Sequence, residues 1–195
     1  MVEHTSNPKY QDLLKTAHHL FWKHGFKRVS VQEVCREAGV SKMTFYRYFS
    51  NKEALALAVL QDMFDDAMKE YREIMEEDIP FADKVKKQVL MKAKNTDEIS
   101  KELVKDLLAD TESPLFKYWN ERKNEAIGVF LKDFAEAQQK GWIRKDIKRE
   151  FILYFFNKMI EMATDEYLLS VYDSEQELIM EMTNFYFYGI SPRES

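Results

Sequence analysis

A chain of 195 residues, 45% of them hydrophobic, can bury a core of its own, and its nine Gly and Pro in total, few breakers for this length, argue for an all-helical protein. Cys35 is the only cysteine, which excludes an intrachain disulfide and suits a reducing cytoplasm. The net charge of −5 argues at first against a nucleic-acid partner, but residues 1–52 hold nine Lys and Arg against four Asp and Glu, a net of +5 on an otherwise acidic chain.

Residues 1–6 read as an arm, and Asn7-Pro8 as an N-cap with Pro in the first turn. A helix follows to His24, with Leu13, Leu14, Ala17, Leu20 and Phe21 on one face, and Gly25 ends it. Ser30 with Glu33 is a capping box, so a helix starts at Val31 and stops before Gly39. Ser41 caps a second short helix, Lys42 to Tyr48. Ser50 and Asn51 then cap a long helix from Lys52 to about Asp78, which Ile79-Pro80 ends. Further helices are expected at about 81–94, 97–109, 114–140, 147–171 and 175–188, marked by Thr96-Asp97, Ser113-Pro114, Gly141 and a second capping box at Ser174 and Glu177. No alternating strand pattern and no run approaching the roughly 18 apolar residues of a membrane span appears, and the polar first 20 residues are no signal peptide.

Two short capped helices joined by a glycine turn form the helix-turn-helix pattern, whose second helix enters the DNA major groove. Here that helix reads Lys-Met-Thr-Phe-Tyr-Arg-Tyr. Lys42, Met43, Tyr46 and Arg47 share its outer face, Thr44 lies at the edge, and Phe45 and Phe49 point to the core. Lys42 and Arg47 can donate to phosphates or guanine, Met43 and Thr44 can meet a thymine methyl, and Tyr46 can reach a phosphate or base edge. Gln32 is placed to reach the groove. Ser30 and Lys52, each at a helix N-terminus, can hold a phosphate.

The stretch Ala38-Gly-Val-Ser-Lys-Met-Thr-Phe-Tyr-Arg-Tyr-Phe-Ser-Asn-Lys-Glu-Ala-Leu55 resembles the signature of TetR-family transcriptional regulators. The match covers about residues 8–60, and Gly141-Trp142-Ile143-Arg144-Lys145-Asp146-Ile147 resembles that family's approach to its last two long helices. The resemblance implies a homodimer of nine-helix subunits whose C-terminal domain binds a small effector, with repression favoured over activation. It also implies that Tyr46 and Lys52 contact phosphate, that Thr44 contacts phosphate or base, and that Lys42, Met43 and Arg47 occupy the variable base-reading positions. Cys35 departs from the alanine more common there; on an apolar stripe and without a partner thiol, it reads as a core residue rather than a redox sensor.

Catalysis and metal binding find no support. His18 and His19 are adjacent on a helix and diverge by about 100°, so they cannot converge on one ion. No ligand-spaced cluster, glycine-rich phosphate loop or nucleophile elbow is present, so no enzyme activity, metal or cofactor is expected.

The expected architecture is therefore all-α: a three-helix DNA-binding domain, 1–52, and a larger effector-binding and dimerisation domain, 53–195, about nine helices in all. In the second domain Met91, Trp119, Tyr154, Phe155, Asn157 and Met162 are candidates to line a pocket for a small, largely apolar effector, Asn157 orienting it. The last helices are apolar on more than one stripe, so Phe151, Ile160, Tyr167, Leu178, Met182 and Phe185 are assigned to a homodimer interface. The partners expected are double-stranded DNA, an effector and a second copy of the chain, without a membrane. A helical small-molecule carrier is the alternative, which leaves the basic head unexplained.

Overall fold

The computed structural model describes residues 7–96, 106–163 and 165–190. These residues form helices and connecting turns and no strand. The helices are α1 (Pro8–His24), α2 (Val31–Glu37), α3 (Lys42–Tyr48), α4 (Lys52–Glu76), α5 (Phe81–Thr96), α6 (Pro114–Gln139), α7 (Arg149–Ala163), α8 (Glu166–Val171) and α9 (Glu175–Ile190). The expected helix 97–109 lies outside the described residues except for 106–109, of which 106–108 are helical and 109 is a turn.

Local chemistry sets most boundaries. The Asn7 side chain accepts from Lys9 N at 3.0 Å, and α1 ends at Gly25, whose φ of 80° suits a residue without Cβ. Ser30 Oγ accepts from Glu33 N and Ser41 Oγ from Thr44 N, each at 3.1 Å. Asn51 Oδ1 accepts from Ala54 N at 2.8 Å at the head of α4. Between α2 and α3, Gly39 takes a φ of 65°, which lets the chain reverse within two residues of the helix end.

One expected helix is two. Asp165, at φ −77° and ψ 121°, is extended and caps α8 by accepting from Leu168 N at 3.0 Å. A carboxylate that supplies the missing acceptor stabilises a new helix start more than it stabilises a helix interior, so the apolar run divides there. At the other end of the same expected helix, Gln138 Nε2 donates to the carbonyls of Arg144 and Ile147, and α7 begins only at Arg149.

By contact the chain forms two compact units. The first runs to Met68 and takes in residues up to Lys123 after the described chain resumes at Asp106; the second holds Lys69 onward to the end of α5 and Asn124 onward. In the first, Leu13, Ala17, Val34, Phe45 and Leu55 form one core, which Ala56, Val59, Leu60 and Leu115 extend. The expected head of 1–52 is therefore packed against the first turns of α4 and the start of α6. In the second unit Phe81, Val85, Phe130, Phe134, Ile143, Ile152, Met159, Leu178 and Tyr186 form the core.

Phe134 is 1% exposed and packs against Phe130 and Phe81, with ring centroids at 4.2 and 5.7 Å. Phe134→Ala should therefore lower unfolding stability by about 3–5 kcal/mol, read from the denaturant midpoint of the full chain.

Candidate nucleic-acid interface

The two short helices α2 and α3 owe their positions to a few buried side chains. Val34 and Cys35 anchor α2, and Phe45 with Phe49 anchors the α3 end of the motif. Tyr10 of α1 stacks on Phe49 with centroids 5.1 Å apart and meets Tyr48 edge-on at 5.7 Å. With Phe45 turned inward, the 100° step of a helix sends Lys42, Met43, Tyr46 and Arg47 outward together. All four are exposed, Met43 to 80% and Tyr46 to 58%. A large apolar side chain left this open beside two cations suits a surface that meets base edges and phosphates.

Gln32 lies next to this face: Lys42 Nζ donates to its Oε1 at 3.4 Å. Ser30 is exposed at the start of α2 with its Oγ already accepting from Glu33 N, so the hydroxyl proton points away from the helix. Lys27 and Arg28, just before it, are exposed cations that no local pattern marks beyond their adjacency.

Two candidates occupy other places than their spacing suggests. Thr44 is only 8% exposed, and its Oγ1 lies 3.0 Å from Ser41 Oγ, so its hydroxyl belongs to the cap of α3. Lys52 is half-buried. Its ammonium donates to the carbonyls of Phe26, Lys27 and Val29 at 2.9, 3.2 and 3.0 Å and lies 4.4 Å from the centre of the Phe26 ring. All three of its donors are directed at the turn between α1 and α2, and burial pushes its pKa down. What α4 offers a phosphate at this point is its first-turn backbone N–H groups other than that of Ala54, which Asn51 Oδ1 already accepts. Cys35 is buried, and burial pushes its thiol up while Lys42 opposes the shift, the character of an inert core thiol.

In the second unit an apolar cavity of about 170 Å³ is lined by Ile147, Phe151, Ile152, Phe155, Phe185, Tyr186, Gly189 and Ile190. Of the six effector-pocket candidates, Phe155 alone borders it. Met91 is buried on α5, whereas Trp119 is half-buried and belongs to the first unit. Tyr154, Asn157 and Met162 face solvent, because α7 turns Ile152 and Met159 inward, seven residues apart on one stripe. Asn157 therefore does not present its amide to an apolar interior in this structure.

The dimer candidates divide in the same way. Phe151, Tyr167 and Phe185 are exposed, the last two to 74% and 72%, and Tyr154 and Tyr188 are exposed beside them in sequence. Leu178 at 1% and Met182 at 7% are instead in the subunit's own core, since α9 turns that stripe toward the other helices of its unit. The side chain of Ile160 lies outside the described residues. Among the described residues no group of three or more His, Cys, Asp or Glu could hold a metal, and no helix is long and apolar enough to cross a membrane.

The sequence pattern of bacterial regulatory proteins of the tetR family matches residues 13–59. The helix-turn-helix-type transcriptional regulator YdgC of Bacillus subtilis, itself uncharacterized, is 26% identical over 186 residues, 93% of this chain and 92% of its own length. Among solved structures, the fatty acid degradation regulator FadR of Bacillus halodurans aligns with a TM-score of 0.72 at 20% identity, covering 97% of this chain and all of that one. A transcriptional regulator of Saccharomonospora viridis in complex with choline aligns at 0.75 and 15% identity, over 94% of this chain and 98% of its own. At such identities the structural likeness speaks to the fold.

The geometry at Lys52 has a measurable consequence. Lys52→Met keeps the aliphatic stem against Phe26 but leaves three carbonyls without their donor, and should cost about 1–3 kcal/mol of stability in thermal or denaturant unfolding. The exposed Lys42→Met should cost less than about 0.5 kcal/mol in the same measurement.

Proposed function

Because the chain is a DNA-binding transcriptional regulator of the TetR family, we propose that it acts as a homodimeric repressor, released from a pseudo-palindromic operator by a small, largely apolar effector. The observation that carries the DNA reading is the outward face of α3, with Lys42, Met43, Tyr46 and Arg47 open to solvent while Phe45 is fully buried behind them. Arg47 and Lys42 read bases, Met43 meets a thymine methyl, and Tyr46 holds a phosphate. Ser30 and the first turn of α4 contribute phosphate contacts at two helix N-termini, and Gln32 reaches the groove from α2. Thr44 acts through the cap that orients α3. The DNA-binding role belongs to residues 1–52, and the remainder carries effector binding and dimerisation.

Exposed aromatic rings on α7, α8 and α9 support the dimer. Phe151, Tyr154, Tyr167, Phe185 and Tyr188 are each more than half exposed, large rings that a second copy of the chain could cover. Pairing α7 and α9 with their counterparts about a two-fold axis covers Phe151 and Phe185 and closes the cavity they border. Two recognition helices related by that axis would read half-sites about 34–36 Å apart or a multiple of that. Solved structures with this fold include a fatty acid degradation regulator, a ketosteroid transcriptional regulator and a regulator in complex with choline, which supports a small-molecule effector without choosing its identity. Met91 and Phe155, the candidates that are buried or border the described cavity, are the first positions to vary in an effector screen. The protein works in the cytoplasm, by binding rather than catalysis.

Light scattering at micromolar concentration should give about twice the 23.3 kDa chain mass, and Phe185→Asp should return it to the monomer. A monomeric wild type overturns the dimer. In anisotropy titrations on duplexes selected from a random pool, Tyr46→Ala should weaken every sequence alike, whereas Arg47→Ala should change the preferred base at one position, with about 1–3 kcal/mol of discrimination lost there.

A further inference from the structure

The turn between α1 and α2 is held from two sides by groups of opposite charge. Its carbonyls at Phe26, Lys27 and Val29 face the Lys52 ammonium. Its amide at Lys27 donates to Asp106 Oδ2 at 2.8 Å, across 79 residues of sequence. The Asp106 carboxylate also favours the charged form of Lys52, against the burial that pushes that ammonium down. The neighbouring side chains are seated on the same core: Leu107 borders a small apolar gap with Phe21, Trp22 and Phe26, and Leu115 is buried against the head. The turn leads through the buried Val29 directly into Ser30, the cap of α2.

We propose that Asp106 is a positioning residue for DNA binding: from outside the helix-turn-helix, its carboxylate holds the turn that aims α2 and, through α2, the recognition helix. The inference deepens the proposed function, rests on its DNA-binding reading, and gives regulation a specific contact. Any event that draws Asp106 away from Lys27 N frees one side of the turn while the Lys52 side stays in place. The carboxylate accepts a charge-assisted hydrogen bond, stronger than one between neutral groups, so its loss is felt in the position of the turn. A bystander acid would behave in the opposite way. Lying beside a phosphate-binding head, it would repel DNA, and removing it would tighten binding.

Asp106→Ala and Asp106→Asn separate the two roles, because both remove one negative charge while only the asparagine keeps an oxygen able to accept from Lys27 N. Wild type and both variants are titrated by anisotropy against one duplex selected from a random pool by the wild-type chain, at one salt concentration and well below the lowest melting midpoint of the three. Asp106→Ala should raise Kd about five- to tenfold, the size expected for one lost hydrogen bond. Asp106→Asn should recover at least half of that loss, and hydrogen exchange at the Lys27 amide should accelerate in the alanine variant and much less in the asparagine one. The proposal is overturned if Asp106→Ala binds as tightly as wild type or tighter, or if Asp106→Asn is as weak as Asp106→Ala. A wild-type chain that selects no duplex at all counts instead against the DNA-binding reading beneath it.

Discussion

The helix-turn-helix head is organised by one ammonium group in a ring of carbonyls. Three backbone oxygens that converge on one point repel one another and, half-buried, are poorly served by water. Lys52 supplies three donors from a single tetrahedral centre and so satisfies all of them at once. Because Lys52 is the first residue of α4, the start of the long helix and the turn before α2 are tied together. The helix-turn-helix is thus clamped at both ends, by Lys52 on its approach and by Phe49 against Tyr10 at its exit. Its outward side chains inherit their direction from these contacts, which are all made on the inner side.

What could be read directly from the sequence was what is decided within three or four residues. Asn7, Ser30, Ser41 and Asn51 each act on an N–H two or three positions on, so their caps and the helices they begin stand where the residues place them. The inward stripe of α1 and the outward face of α3 follow from helical period alone. Contacts between distant residues could not be read that way. Nothing near Lys52 announces that its ammonium bonds to residues about two dozen positions earlier, and nothing near Asp106 points to Lys27. Periodicity marked Leu178, Met182 and Phe185 as one apolar set; only packing separates the first two, turned into the core, from the third, left in solvent. Asp165 was legible in principle as a cap, but apolar residues up to Ala163 and again from Tyr167 keep helical spacing across it and mask the signal.

The same distinction explains why the second unit yields less functional detail than the first. A recognition helix must be exposed, so surface chemistry and helical phase identify it together. An interior pocket is made by whichever large side chains fail to fill the space between helices, a small difference between many large volumes that no single residue type encodes. Tyr154, Asn157 and Met162 are chemically suited to a pocket and still lie on the outer side of α7, because the helix gives its inner stripe to Ile152 and Met159.

Arg144 constrains the exposed face of α9. Its backbone N–H donates to Ile190 O at 2.9 Å and its guanidinium to Gly189 O at 3.3 Å, while Asp146 pairs with the same guanidinium. The carbonyls of Gly189 and Ile190 in α9 are thereby pinned to the loop that follows α6. A helix pinned at its final carbonyls cannot slide along its own axis without breaking both bonds. The axial register of Phe185 and Tyr188 is set from a loop some forty residues upstream, so two copies meeting on that face would meet with their rings already in step.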